Sequence, residues 1–249
     1  MPKLIITGGP TNEPIDEVMK ITNMSTGRLA TTLSNKFLNA NYEVTAILNT
    51  SVNIEKLKEN KRAKNLKIVL VETTEDMLKA LEKESKLKKT DIIIHASAVG
   101  DYKADYTFLF EDFAAHLAKK IEKGEVKTKE DIMSAFLEKE KYKIDNSSKI
   151  SSYQKNLTVK LNLTPKIISN LRSWFPETLL IGCKLLDNVS KEELYDVATK
   201  LCRKNDLNFV LANDLNDLKQ GDSTRYLVAQ NGFTGEFLKT PEEIFERFY

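Results

Sequence analysis

The 249-residue chain is 41% hydrophobic and 30% charged, a balance that buries a core and excludes a disordered chain. Thirty-eight basic against thirty-six acidic residues leave a net charge of +2, too even to mark a nucleic-acid or membrane surface. Cys183, Cys202, His95 and His116 show no ligand-pair spacing, which argues against a zinc site or a disulfide framework and for a reducing, cytoplasmic protein.

The elements alternate from the start. Lys3–Thr7 is a short apolar run stopped by Gly8, Gly9 and Pro10, the pattern of a buried strand feeding a loop. No run of about eighteen apolar residues is present for a bilayer, and the N-terminus has no leader pattern. Leu29, Leu33 and Phe37 place a helix over 28–37, strands follow over 42–48 and 66–71, a helix over 74–87 and a strand over 91–98. This order predicts a largely parallel sheet covered by helices. Between 104 and 148 the pattern changes: Phe108, Phe110, Phe113 and Leu117, then Ile132, Phe136 and Leu137, predict two helices inserted into a single domain of 1–249. Their nearly balanced lysines and glutamates read as a solvated face. The second half repeats the theme, with strands over 157–163, 179–183 and 208–212, and helices from Pro165 and over 191–205.

In open parallel sheets ligands bind beyond the carboxyl ends of the strands, which draws attention to the loops 8–27, 97–103, 164–168 and 182–188. Glycine concentrates there. Only nine glycines are present where average usage of roughly 7% gives about seventeen, and Gly8, Gly9, Gly27, Gly100 and Gly182 fall in or beside these loops. The first loop matches neither the dinucleotide fingerprint nor the P-loop. Ser25, Thr26 and Gly27 nevertheless precede a helix, where hydroxyl caps and unbonded N–H groups favour phosphate or carboxylate.

The joint pattern is more specific. T-G-G-P-T-N-E-P-I-D-x-V-x-x-I-T-N-x-S-T-G at Thr7–Gly27, A-V-x-D-Y at Ala98–Tyr102, K-I at Lys149–Ile150 and A-N-D at Ala212–Asp214 resemble phosphopantothenate–cysteine ligase, in its stand-alone bacterial form. The resemblance implies an α/β, Rossmann-like fold with a mainly parallel sheet flanked by helices. It also implies an activity in coenzyme A biosynthesis. CTP, with Mg2+, activates the carboxylate of 4′-phosphopantothenate as an acyl-cytidylate, and the amine of L-cysteine then displaces CMP; family members are homodimers.

Residue by residue, the resemblance assigns Asn23 to the acyl-cytidylate, with Ser25, Thr26, Gly27 and Asn213 on the substrate. A neutral amide donates to a developing oxyanion without a charge to desolvate. Lys149 matches the cation that meets departing pyrophosphate, although Ser151 and Ser152 stand where the family has further lysines. Gly8, Gly9, Ser97, Ala98, Asp101, Pro165, Lys166, Ile167, Ile168 and Cys183 match the nucleotide pocket, with Lys166 in place of a common aspartate and Cys183 in place of a phenylalanine. Lys200 and Lys204, one helical turn apart, match two phosphate-facing lysines. Met19 stands where many members have arginine. Two rival readings are a nucleotide-binding module without catalysis and an NAD(P)-dependent reductase. None of the eight tyrosines has the lysine four residues on that a reductase uses.

Overall fold

The computed structural model describes Met1–Tyr249. In chain order it contains β1 (Lys3–Gly8), β2 (Asn12–Pro14), β3 (Lys20–Thr22), α1 (Arg28–Asn39), β4 (Glu43–Asn49), α2 (Glu55–Lys58), β5 (Leu66–Val71), α3 (Thr74–Ser85) and β6 (Ile92–His95). There follow β7 (Tyr102–Leu109), α4 (Phe110–Glu122), α5 (Lys129–Leu137), β8 (Lys143–Ile144) and β9 (Leu157–Leu163). The chain closes with α6 (Leu171–Trp174), β10 (Leu179–Leu186), α7 (Lys191–Lys204), β11 (Phe209–Asp214), α8 (Leu215–Lys219), β12 (Arg225–Ala229), β13 (Gly232–Leu238) and α9 (Pro241–Phe248). It divides into two compact units: 1–11, 23–99 and 165–249 form the first, and 12–22 with 100–164 form the second.

The first unit is an eight-stranded sheet in the order β13-β12-β11-β10-β6-β1-β4-β5. Strands β5 to β11 run parallel, and β12 and β13 are antiparallel additions. All six residues of β1 are buried, as a central strand covered on both faces requires. From β1 the chain crosses to β4 on one side and later returns to β6 on the other. The strand order therefore reverses between β1 and β6, the place where doubly wound sheets open a crevice.

One face of this sheet packs Leu4, Ile6, Ile94, Ile181 and Leu211 under α1 and α9, through Leu33, Phe37, Ile244 and Phe248. The other packs Ile5, Ile93, Leu180, Val210 and Ala212 under α3 and α7, through Met77, Leu81, Leu194 and Ala198. Lys3, buried within β1, is tolerated because Glu84 lies 3.0 Å away and also pairs with Lys67.

Several expectations change. Residues 104–148 hold the two expected helices, but also most of β7 and all of β8. Residues 157–163 are not a strand of the main sheet: β9 pairs with β7 antiparallel in a separate sheet of order β8-β7-β9. Its LTVKLNL sequence alternates apolar with polar, which suits a strand with one wet face rather than a parallel strand buried on both. Around this sheet the second unit packs Tyr106, Phe108 and Tyr142 against Phe113 and Phe136. Pro165 does not start a helix; a 3-10 turn over Ile167–Asn170 precedes the four-residue α6. The glycine of β10 is also placed differently, since Gly182 lies inside the strand, where an added Cβ would come 2.9 Å from Leu207.

The tightest packing lies at Gly8, where an added Cβ would come 2.3 Å from the Cβ of Ala30 and 3.0 Å from Leu48. The Ala30 contact is a Cβ held by the helix backbone and not the far end of a flexible side chain, so α1 must shift to accept it. Gly8→Ala is expected to lower unfolding free energy by about 1–3 kcal/mol, the usual cost of overpacking a close-packed core. Urea denaturation checks this, and an unchanged midpoint would show that α1 has slack at its start.

Candidate functional site

The site is built from the loops that leave β1 and β6. Ala98 donates its N–H to the carbonyl of Gly9 at 2.9 Å, and Thr11 donates to the carbonyl of Ala98 at 3.3 Å, so the two loops continue as a parallel bridge beyond the strands. Beneath them Thr7 and His95 stand side by side in register, with Thr7 Oγ1 2.8 Å from His95 Nδ1. The same hydroxyl accepts from the Ser97 N–H at 3.3 Å. Burial pushes the His95 pKa down to about 4, so the imidazole is neutral and leaves no charge under the crevice. Ser97 Oγ is buried with no hydrogen-bond partner.

Asn23 enters from the long first loop and donates its side-chain amide to the carbonyl of Val99 at 3.0 Å. The motif asparagine is thereby fixed at the carboxyl end of β6. Four residues on, Gly27 caps α1 with φ 68 and no side-chain cap. The expectation of hydroxyl caps from Ser25 and Thr26 is corrected. They accept from the N–H groups of Gly27 and Arg28 at 3.5 and 3.4 Å, long bonds two residues ahead, because the left-handed glycine turns the chain before either reaches the helix. Every other helix of eight or more residues has acidic side chains in its first turn, and α1 has none. Its positive end and its unbonded first-turn N–H groups therefore lack a built-in anion.

The glycines explain this placement. Gly9 at φ 84 and Gly27 at φ 68 both need the left-handed region, and a Cβ on Gly27 would lie 2.6 Å from Val52 and 3.2 Å from the Gly9 nitrogen. They bring α1 against the end of β1, which is a packing role as well as room for a ligand.

The remaining first-unit candidates divide. Cys183 on β10 and Asn213 on β11 lie on the α1 face toward the carboxyl end, with the Cys183 thiol pushed up to about 11 by its apolar surroundings. Ile167 is buried in the core of the α3 and α7 face, and the partly buried Ile168 packs against it. Lys166 and Pro165 lead into that turn, and the Lys166 carbonyl accepts from Ser169 at 2.7 Å and Asn170 at 3.1 Å. Lys200 and Lys204 are at the wrong end of the sheet. α7 leaves the carboxyl end of β10 and runs toward the start of β11, so at 1.5 Å per residue these lysines lie ~14 and ~20 Å beyond Lys191. Lys200 instead pairs with Asp196 at 2.6 Å in solvent.

Asp101 and Lys149 belong to the second unit. Asp101 is exposed, and its backbone carbonyl accepts from Thr164 at 3.0 Å. Lys149 precedes a residue held by the motif aspartate, which sequence reasoning had not singled out. Asp16 Oδ1 accepts from the N–H groups of Val18 and Met19 at 2.8 and 2.6 Å, and Oδ2 accepts from Ile150 at 2.9 Å. These backbone donors, with a smaller contribution from Lys149, hold the Asp16 carboxyl below the usual range. One carboxylate thus closes the β2–β3 turn and ties it to the K-I segment. Met19 contributes its backbone to this turn, while its side chain is 38% exposed.

A doubly wound sheet with glycine-tightened loops at its reversal point places the chain in the Rossmann-like class of α/β proteins, whose crevice opens at that point. Residues 2–143 match the family model described as the DNA/pantothenate metabolism flavoprotein C-terminal domain, and the chain belongs to that family. A crystal structure described as the DNA/pantothenate metabolism flavoprotein from Streptococcus pneumoniae is 30% identical, with TM-score 0.77 over 99% of this chain and 96% of that one. The coenzyme A biosynthesis bifunctional protein CoaBC of Thermococcus kodakarensis is 28% identical over 247 residues, 99% of this chain and 50% of that protein. Its namesake in Methanocaldococcus jannaschii is 28% identical over 88% of this chain and 42% of its own length. The chain thus spans about half the length of the curated relatives it matches. No helix is long and apolar enough to cross a membrane.

The buried imidazole gives a test of the site's floor. A native pKa of about 4 against an ordinary 6.5 means the unfolded chain binds the proton first as pH falls. Stability due to neutral His95 is fully present above pH 6.5 and is lost between 6.5 and about 4. Between pH 7 and 4.5 the wild type is expected to lose about 2–3 kcal/mol more than His95→Gln, measured by urea unfolding at each pH. Parallel pH profiles would contradict a desolvated His95.

Proposed function

We propose that the chain is a phosphopantothenate–cysteine ligase that uses CTP. The observation that carries this reading is Asn23, fixed by the Val99 carbonyl at the reversal point of the sheet, four residues before a helix start that lacks an acid. The family and the motif resemblance supply the chemistry that such a place serves.

In the proposed reaction a carboxylate oxygen of 4′-phosphopantothenate attacks the α-phosphorus of CTP, and the bond to pyrophosphate breaks. The amine of L-cysteine then attacks the acyl carbon, loses a proton, and CMP leaves with the carboxylate oxygen. Both steps build negative charge on oxygen. The start of α1 meets phosphate charge with N–H groups and its dipole, at no cost of rearranging donors during the reaction. Asn23 donates to the acyl oxygen as a neutral group, and Lys149 is the proposed phosphate-facing cation of the second unit. Mg2+ accompanies the triphosphate in this reading and neutralises part of its charge. No three His, Cys, Asp or Glu side chains cluster to hold a metal, so a cage made by the protein does not fit. A homodimer and a cytoplasmic setting belong to the same proposal and rest on the resemblance.

Met19, an uncharged side chain at a position where arginine is common, favours a second reading, nucleotide binding without catalysis. Mixing the chain with CTP, Mg2+, 4′-phosphopantothenate and L-cysteine separates the two. The ligase reading expects pyrophosphate and the amide product in equal amounts, and no pyrophosphate above a protein-free control would sink it. Asn23→Ala is expected to slow amide formation at least tenfold with nucleotide affinity within about twofold of wild type, a loss of ~1.4 kcal/mol or more in transition-state stabilisation. Wild-type turnover in this variant would remove Asn23 from the mechanism.

A further inference from the structure

A second place on the same sheet face has unfinished chemistry. In the antiparallel pair of β11 and β12, Ala212 stands opposite Tyr226, so the next step outward brings Asn213 opposite Arg225. Leu211 and Leu227, their neighbours, pack on the α1 and α9 face, and side-chain alternation puts Asn213 and Arg225 on that face too. The parallel register with β10 sets Leu185 on the other side of Asn213. All these positions lie at the carboxyl end of β10 and β11, the end at which α1 begins.

Asn213 is 8% exposed, yet its amide makes no hydrogen bond within the chain. The amide is not sealed from solvent, so its donors are open to a ligand at this end of the sheet. Arg225 pairs with no carboxylate. Its one hydrogen bond goes from Nη1 to the Ser223 carbonyl at 3.0 Å, and the thiol of Cys183 is close enough to interact with it electrostatically. Partial burial without a counter-anion leaves the guanidinium a poorly solvated cation, and most of its fork of donors has no acceptor in the protein.

Three strand spacings, ~14 Å, separate β1 from β11, too far for the start of α1 and this pair to share one phosphate. Both phosphorylated reactants of the proposed ligation carry their phosphate at one end and react away from its tip. We propose that Arg225, with Asn213 beside it across β11 and β12, forms a phosphate-recognition subsite separate from the start of α1. One phosphorylated reactant is then held at each of the two places, with its reacting end directed between them. The planar fork of arginine grips two phosphate oxygens at once, which an ammonium does not. Asn213 supplies an amide donor that needs no second charge.

This subsite rests on the ligase reading, and calorimetry with the full chain separates the two. Four ligands form the arms: CTP, cytidine, 4′-phosphopantothenate and pantothenate, titrated into wild type, Arg225→Gln and Arg225→Lys. Arg225→Gln is expected to weaken one of the two phosphorylated ligands tenfold or more and to leave its unphosphorylated counterpart unchanged. The arm affected identifies which phosphate the subsite takes. Arg225→Lys, which keeps the stem and the charge but loses the fork, is expected to weaken the same ligand two- to tenfold and serves if the glutamine variant does not fold. Wild-type affinity for all four ligands in the variants overturns the subsite while the ligase reading stands. A wild type that binds neither CTP nor 4′-phosphopantothenate overturns both.

Discussion

Three glycines with no room for a side chain decide where α1 begins, and the crevice follows from that. Gly8 lies against Ala30, and Gly27 lies against Val52 and the backbone of Gly9, so helix and strand meet almost backbone to backbone. A bulkier residue at Gly8 or Gly27 would lift the helix start away from the end of β1. Held there, α1 points its unbonded N–H groups past the reversal point of the sheet, with no acid in its first turn to neutralise them. The bond from Ala98 to Gly9 then fastens the loop after β6 to the loop after β1. Asn23 is carried into place by the same geometry.

The second unit depends on a comparable economy of donors. Asp16 collects three backbone N–H groups from two stretches of chain far apart in sequence, which orders a turn and the residue after Lys149 together. Asp105 does similar work on the three-stranded sheet, held between Lys139 at 3.1 Å and Lys160 at 2.8 Å. Each carboxylate replaces hydration with fixed partners, and each is held below its ordinary pKa as a result.

Much of the fold was legible because its signals are local. Apolar runs gave β1, β4, β5 and β6, and helical spacing gave α1, α3 and α7 within a few residues. The loop motif at Thr7–Gly27 carried the family, since its glycines occupy positions where packing leaves no room for a side chain. The missed elements had signals of their own: Asn231–Gly232 between two alternating runs marks the β12–β13 hairpin, and Thr240-Pro241-Glu242-Glu243 is a helix start with a hydroxyl cap and proline at its first position. The failures came from long-range facts. That β9 pairs with β7, that Gly182 sits mid-strand, and that Lys200 and Lys204 end up at the far end of α7 depend on where a strand stops and which way a helix runs. Arg225 and Asn213 share a face only because β12 reverses direction beside β11. The role of Asp16 was hidden for the same reason, because Ile150 meets it only in the folded chain.

The central claim is that the crevice at the reversal between β1 and β6 receives a nucleotide. A crystal structure of the chain with CTP tests it most directly. Nucleotide phosphate is expected at the carboxyl ends of β1 and β6, within hydrogen-bond distance of the first-turn N–H groups of α1. Ordered CTP bound anywhere else, with this end of the sheet holding only water, would contradict it.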